Sequence, residues 1–158
     1  MKKRFLTVLT AVTGAAAVAI GTKRAFKKKL NEVQQYSSKH LALYLMMNQW
    51  VKVKQANKDI PAYLAKQGYK KAAIYGMNYV GQTLYEELKD SEIVVAYAID
   101  KKADDIFVPV DILSPDDSLP EVDVIIVTAI TFFDEIEELL IQKTDADIIS
   151  MEDILYEV

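Results

Sequence analysis

The clearest chemical signal in the chain is Gly76-Met77-Asn78-Tyr79-Val80-Gly81, between an apolar run and a helical pattern. Glycines at that spacing fit a strand-to-helix turn whose backbone N–H groups point at an anion such as pyrophosphate. Gly76 permits the tight turn, and Gly81 permits close packing of helix on strand. The middle glycine of the dinucleotide pattern, which lets backbone approach the pyrophosphate, is here Asn78. Asparagine tolerates left-handed backbone and caps helices, yet its side chain fills space a phosphate would use. Nineteen residues beyond Gly81, Asp100 closes the next apolar run, where an acid accepts hydrogen bonds from ribose hydroxyls. A carboxylate there repels a 2′-phosphate, which favours NAD or a plain nucleoside over NADP despite Lys101 and Lys102. Thr128, ending a later apolar run, faces the same crevice by position. The candidate cofactor-binding set is therefore Gly76, Met77, Asn78, Gly81, Asp100 and Thr128, with NAD or a nucleotide-sugar as ligand. The competing reading keeps Gly76 and Gly81 for the fold alone and Asp100 as an ordinary strand-end acid.

Catalytic equipment is sparse. There is no cysteine, which removes disulfides, thiolate metal sites and cysteine nucleophiles together. A single histidine, His40, leaves little room for a histidine metal site or triad. Tyr-x-x-x-Lys, in which the lysine lowers a phenol pKa for base catalysis, occurs as Tyr85 with Lys89 and as Tyr97 with Lys101. Neither pair lies on a helix after the fourth strand, where that chemistry belongs, so both are read as accidental. No catalytic and no metal-binding residues are expected. A net charge of −4 gives no global field toward nucleic acid.

The elements that would position the turn form an α/β pattern over residues 69–158. Residues 72–75 read as a short buried strand, and 79–89 as a helix with Val80, Leu84 and Leu88 facing inward. Further strands are expected over 93–99, 107–110, 124–127 and 148–149. The 124–127 stretch is nearly all β-branched, as in a parallel sheet buried on both faces. A helix over 131–141 should turn Phe132, Phe133, Ile136, Leu139 and Leu140 to the core, and 151–156 should form a terminal turn or helix. Strand–helix alternation with short connections gives right-handed crossovers onto a parallel sheet of about five strands, a small Rossmann-like domain.

Residues 30–68 read as a helical linker: one long helix or two over 30–56, then a short helix over 61–67. Asp59 fits the N-cap of that short helix, Pro61 its first turn, and Gly68 its end. Trp50 and its apolar neighbours should dock onto the domain that follows, with Met46 and Met47 filling core and His40 half-exposed. Residues 1–29 carry eight basic residues and no acid, and 5–21 contain no charge. Seventeen residues without a charge are the lower limit for crossing a bilayer. The expectation is an anchor with the domain cytoplasmic, because five basic residues follow the span within eight positions against three before it. A cleaved secretory signal ending at Ala17-Val18-Ala19, or an alanine-rich helix lying on a membrane or on protein, are the alternatives.

Ala73-Ile74-Tyr75-Gly76, Gly81 with Leu84 and Leu88, Tyr97-Ala98-Ile99-Asp100, Val108-Pro109-Val110 and Asp123-Val124-Ile125-Ile126-Val127 resemble the N-terminal Rossmann region of bacterial polysaccharide-biosynthesis proteins. That group includes nucleotide-sugar epimerase/dehydratase-like domains and modules associated with glycosyltransferases. Ile148-Ile149-Ser150-Met151-Glu152-Asp153-Ile154 looks like their closing motif. The resemblance covers residues 43–158. It implies nucleotide or nucleotide-sugar binding through the positions of Gly76, Asn78, Gly81 and Asp100, and a protein partner in polysaccharide synthesis. Two functions follow as expectations: a membrane-tethered, non-catalytic module beside envelope-polysaccharide or glycosyl-transfer machinery, or an epimerase/dehydratase-like enzyme whose partner supplies the substrate domain. A purely structural interaction domain is the third.

Overall fold

The computed structural model describes residues 2–102 and 108–158, with side chains from residue 26 onward. The chain divides into two compact units, Met1–Leu43 and Tyr44–Val158. One helix, α1 (Lys2–Gln55), begins in the first unit and ends in the second. The 30–56 stretch is thus one helix, as its freedom from Gly and Pro allows. In the first unit Phe26, Leu30, Val33, Tyr36 and Leu41 are exposed. His40 is exposed too, its ring stacked on Tyr36 at 6.5 Å between centroids. Among the described residues no helix is long and apolar enough to cross a membrane. The 5–21 segment, on which the anchor expectation falls, lies outside the residues whose side chains are described.

In the second unit, Met46, Trp50 and Val53 are buried on one side of the end of α1. They line up because helix positions three and four apart share a face. Met47, also expected in the core, is 37% exposed because it lies one residue, or about 100°, around the helix from Met46. The short helix α2 (Ile60–Lys66) starts where Asp59 accepts from the Ala62 N–H at 3.3 Å. It stops at Gly68, whose φ of +96° suits glycine. The Gly68 N–H bonds the Ala65 carbonyl and the Tyr69 N–H the Leu64 carbonyl, which closes the helix end.

The remainder alternates as expected: β1 (Lys71–Tyr75), α3 (Tyr79–Leu88), β2 (Val94–Ile99), β3 (Ile112–Leu113), β4 (Val124–Val127), α4 (Phe133–Leu140), β5 (Asp147–Ser150) and α5 (Met151–Glu157). Among the described residues the five strands form one sheet in the order β3-β2-β1-β4-β5, every neighbouring pair parallel. β4 is buried along its whole length, consistent with its β-branched run. Ala73, Tyr75, Tyr97, Ile99, Ile125 and Val127 face Ile136 and Leu140 of α4 in one core layer. Alternation sends Ala72, Ile74, Ala98, Val124 and Ile126 to the opposite face.

Two expectations shift. The third strand lies at Ile112–Leu113 and not at 108–110, of which Pro109 and Val110 form a bend; residue 107 is outside the described set. Pro109 has no N–H to give a ladder, whereas Asp111 and Leu113 supply carbonyls to Ala98 and Asp100 of the neighbouring chain segment. The later helix begins with a single 3-10 turn over Ile130–Phe132, so Phe132 precedes α4 and is 47% exposed. Leu139 is 37% exposed, again one residue around from the buried Leu140.

Candidate functional site

In an open parallel sheet, ligands bind outside the carboxyl ends of the strands where the strand order reverses. Here that point lies between β1 and β4, and the Gly76–Gly81 turn leaves β1 at it. Gly76 has φ +93°, and its N–H continues the ladder to the Ile99 carbonyl at 2.8 Å. A Cβ on Gly76 would lie 2.8 Å from the Thr128 hydroxyl. Gly81 is more constrained, since a Cβ there would lie 2.1 Å from the Gly76 carbonyl oxygen. Backbone cannot yield that distance without moving the whole of α3. Both glycines are therefore required for helix α3 to rest on the turn.

Asp100 meets the turn directly. One carboxylate oxygen accepts from the Met77 N–H at 2.8 Å and the other from the Lys102 N–H at 2.9 Å. The acid and the glycine turn thus share one crevice. A carboxylate has about four acceptor positions, so these two bonds leave room for ribose hydroxyls. Met77 contributes only backbone, its side chain being fully buried and its carbonyl accepting from the Gln82 amide at 3.1 Å.

Asn78 is extended, with φ −72° and ψ −166°, and its side-chain oxygen caps α3 by accepting from the Val80 N–H at 2.9 Å. It therefore acts through its capping chemistry and not through left-handed backbone. Among the described residues the N–H groups of Asn78 and Tyr79 carry no hydrogen bond, and both residues are exposed. Thr128 lies beside the turn but is fully buried. Its hydroxyl is within hydrogen-bond distance of the Tyr75 and Gly76 carbonyls, at 3.0 and 2.5 Å, so it fastens β4 to the turn.

Sequence reasoning passed over Tyr75 and Asp116. Tyr75 is the last residue of β1 and only 5% exposed. Burial first, then the nearby carboxylates of Asp100 and Asp116, push its phenol up and keep it neutral. Asp116 belongs to a turn in which the Ser114 N–H donates to Asp117 at 2.8 Å. The Ser-Pro-Asp-Asp run marks that turn in the sequence, but nothing local tells which strand end it will approach.

The Tyr-x-x-x-Lys pairs hold no common site. The Tyr97 hydroxyl donates to the Pro120 carbonyl at 2.8 Å, and burial raises its pKa. Lys89 pairs with Glu86 instead of Tyr85. A second cleft of about 400 Å³ lies between the start of α2 and the end of α3, lined by Asp59, Glu87, Asp90 and Glu92 among others. Its carboxylates suit no phosphate. No protein-family model, curated protein or solved structure matches the chain.

Proposed function

We propose that the chain is a membrane-tethered, Rossmann-like module that binds NAD or a nucleotide-sugar without transforming it, beside envelope-polysaccharide or glycosyl-transfer machinery. The observation that carries the reading is the 2.8 Å bond between the Met77 N–H and Asp100, which joins the glycine turn to the ribose-type acid in a single crevice. The strand order, with the turn at its reversal point, supports the same assignment. The ligand's ribose diol would bond Asp100, and a phosphate would meet the open N–H groups of Asn78 and Tyr79 at the head of α3. The apolar 5–21 segment with its basic flanks supplies the tether, and the domain is cytoplasmic.

Thermal-shift titration of the full-length protein with NAD, NADP, UDP-sugars and CoA tests this. A micromolar binder raises the melting temperature at millimolar ligand, because binding to the folded state alone stabilises it by RT ln(1 + [L]/Kd). Asp100→Asn retains an oxygen for the Met77 N–H but loses the charge and the acceptor for the exposed Lys102 N–H, so it should cancel the ligand shift and lower the unliganded melting point only slightly. If no nucleotide shifts the melting point, the binding reading fails.

One observation favours a second reading, an interaction domain with a closed turn. Asn78 and Thr128 are already engaged with the chain's own backbone, and Asp100 and Asp116 make the crevice acidic toward phosphates. Membrane fractionation of the full-length protein tests the tether separately, and a fully soluble protein would refute it.

A further inference from the structure

We propose that the Tyr75 hydroxyl is a ligand contact of the glycine-turn crevice and that, with Asp100 and Asp116, it selects the hydroxyls of a sugar over a phosphate. The inference rests on the nucleotide-binding reading and names the part of the ligand that this side of the crevice takes.

Tyr75 ends β1, and its register partners are Ile99 on one side and Val127 on the other; Ile99 in turn pairs with Leu113. These four residues make the last row of the ladder on that part of the sheet. The residues that follow them, Gly76, Asp100, Ser114 and Thr128, stand together at the carboxyl ends of the strands. Tyr75 lies on the α4 face of the row with Ile99 and Val127. Asp116 comes two residues after Ser114, in a turn fixed by the Ser114 N–H bond to Asp117 and by the Lys143 ammonium on the Pro115 carbonyl.

Buried phenol hydroxyls ordinarily find a partner. Three other tyrosines of this unit do: the Tyr63 hydroxyl donates to Glu157, Tyr69 to Asp147 at 2.9 Å, and Tyr97 to the Pro120 carbonyl at 2.8 Å. Tyr75 is only 5% exposed, yet among the described residues its hydroxyl makes no hydrogen bond. No fully buried side-chain oxygen among them lacks a partner, so the Tyr75 oxygen is the part of the side chain left open. Burial first, then the charges of Asp100 and Asp116, keep the phenol protonated. The result is a neutral donor beside two carboxylates that can only accept.

A sugar hydroxyl matches that set, because it can accept the Tyr75 proton and give its own to Asp100. A phosphate only accepts, so it would gain one donor and meet two like charges. Asp100 is already oriented by the Met77 and Lys102 N–H groups and keeps acceptor positions free. The ligand's phosphate is then left to the head of α3, and its sugar to the Tyr75 side.

Calorimetric titration of the full-length protein tests this with NAD, NADP, UDP-glucose, and ADP against its 2′,3′-dideoxy counterpart. Tyr75→Phe should weaken NAD, UDP-glucose and ADP about two- to tenfold, the range of one neutral hydrogen bond, and leave the dideoxy nucleotide unchanged. Its unliganded melting point should hold or rise slightly, since no bond within the chain is lost. Tyr97→Phe, which gives up the Pro120 bond on the same face, should do the converse: a lower melting point with unchanged affinity. Asp116→Asn should narrow the preference for NAD over NADP about threefold or more. If wild type and Tyr75→Phe bind every ligand equally, or the variant loses the dideoxy nucleotide as well, the Tyr75 contact is overturned and the nucleotide reading stands. If no nucleotide binds the wild type, both fall.

Discussion

Helix α3 is held at both ends, by two kinds of contact. At its N-terminal end every bond runs to backbone: Asn78 to the Val80 N–H, Asp100 to the Met77 N–H, Thr128 to the Gly76 carbonyl. At its C-terminal end Ser91 closes on the Leu88 carbonyl, and the contacts that reach other elements join side chains. The Trp50 indole N–H donates to Glu87 at 2.8 Å, and the Lys54 ammonium pairs with the same carboxylate. The first end is fastened by groups whose places follow from the strand–turn–helix path itself. The second is fastened by residues 37 and 33 positions away, which path alone does not bring together. Backbone-directed contacts belong to the fold, and side-chain contacts belong to this particular chain.

Substitutions at the two ends should separate those roles. Trp50→Ala removes a nearly buried indole and leaves the half-buried Glu87 short of a donor; the expected loss is about 3–5 kcal/mol in urea unfolding followed by circular dichroism. Gly81→Ala attacks the other end, where the added methyl meets the Gly76 carbonyl, and should cost about 3 kcal/mol as α3 lifts from the turn. If Gly81→Ala proves harmless while Trp50→Ala unfolds the domain, the seam with α1 is what seats α3. Asn78→Ala loses a helix cap worth about 1 kcal/mol, read from the same unfolding curves. Any gain in nucleotide affinity in that variant would show that the side chain obstructs a phosphate.

The smallest expected effect lies at the amino ends of the central strands β1 and β4, away from the glycine turn, and serves as a control for both ends of α3. Asp123 accepts from the N–H groups of Lys70 and Lys71 at 2.8 and 2.7 Å, and these bonds hold its carboxyl below the ordinary value of 3.8. Its contribution is complete above that value and is lost as pH falls through the lower folded one. Asp123→Asn should therefore flatten the acid limb of stability below about pH 4 in a circular-dichroism titration, with little change at neutral pH.

The same division explains what the sequence made legible. The glycine turn, the capped α2 and the β-branched β4 carry local signals, and each element formed within a residue or two of its expected place. Phe132 was misplaced because a 3-10 turn takes the expected helix start, which apolar spacing does not record, and Leu139 because it lies about 100° around α4 from the buried Leu140. The third strand was displaced because its two residues follow the carbonyls of Asp111 and Leu113 into register with β2, a non-local choice. At the candidate site, residue types and order were readable, but the engagement of Thr128 and Asp100 with the turn's own backbone was not. Hydrogen-bond partners are decided by distances that only the folded chain sets.

The brevity of β3 has a further consequence. A sheet's outermost strand presents unpaired N–H and C=O groups that can template the addition of a foreign strand. With just Ile112 and Leu113 in ladder geometry, and Pro109 shortly before them, that border offers too little extended backbone to recruit one. The domain is thereby protected against amyloid-type growth on that side.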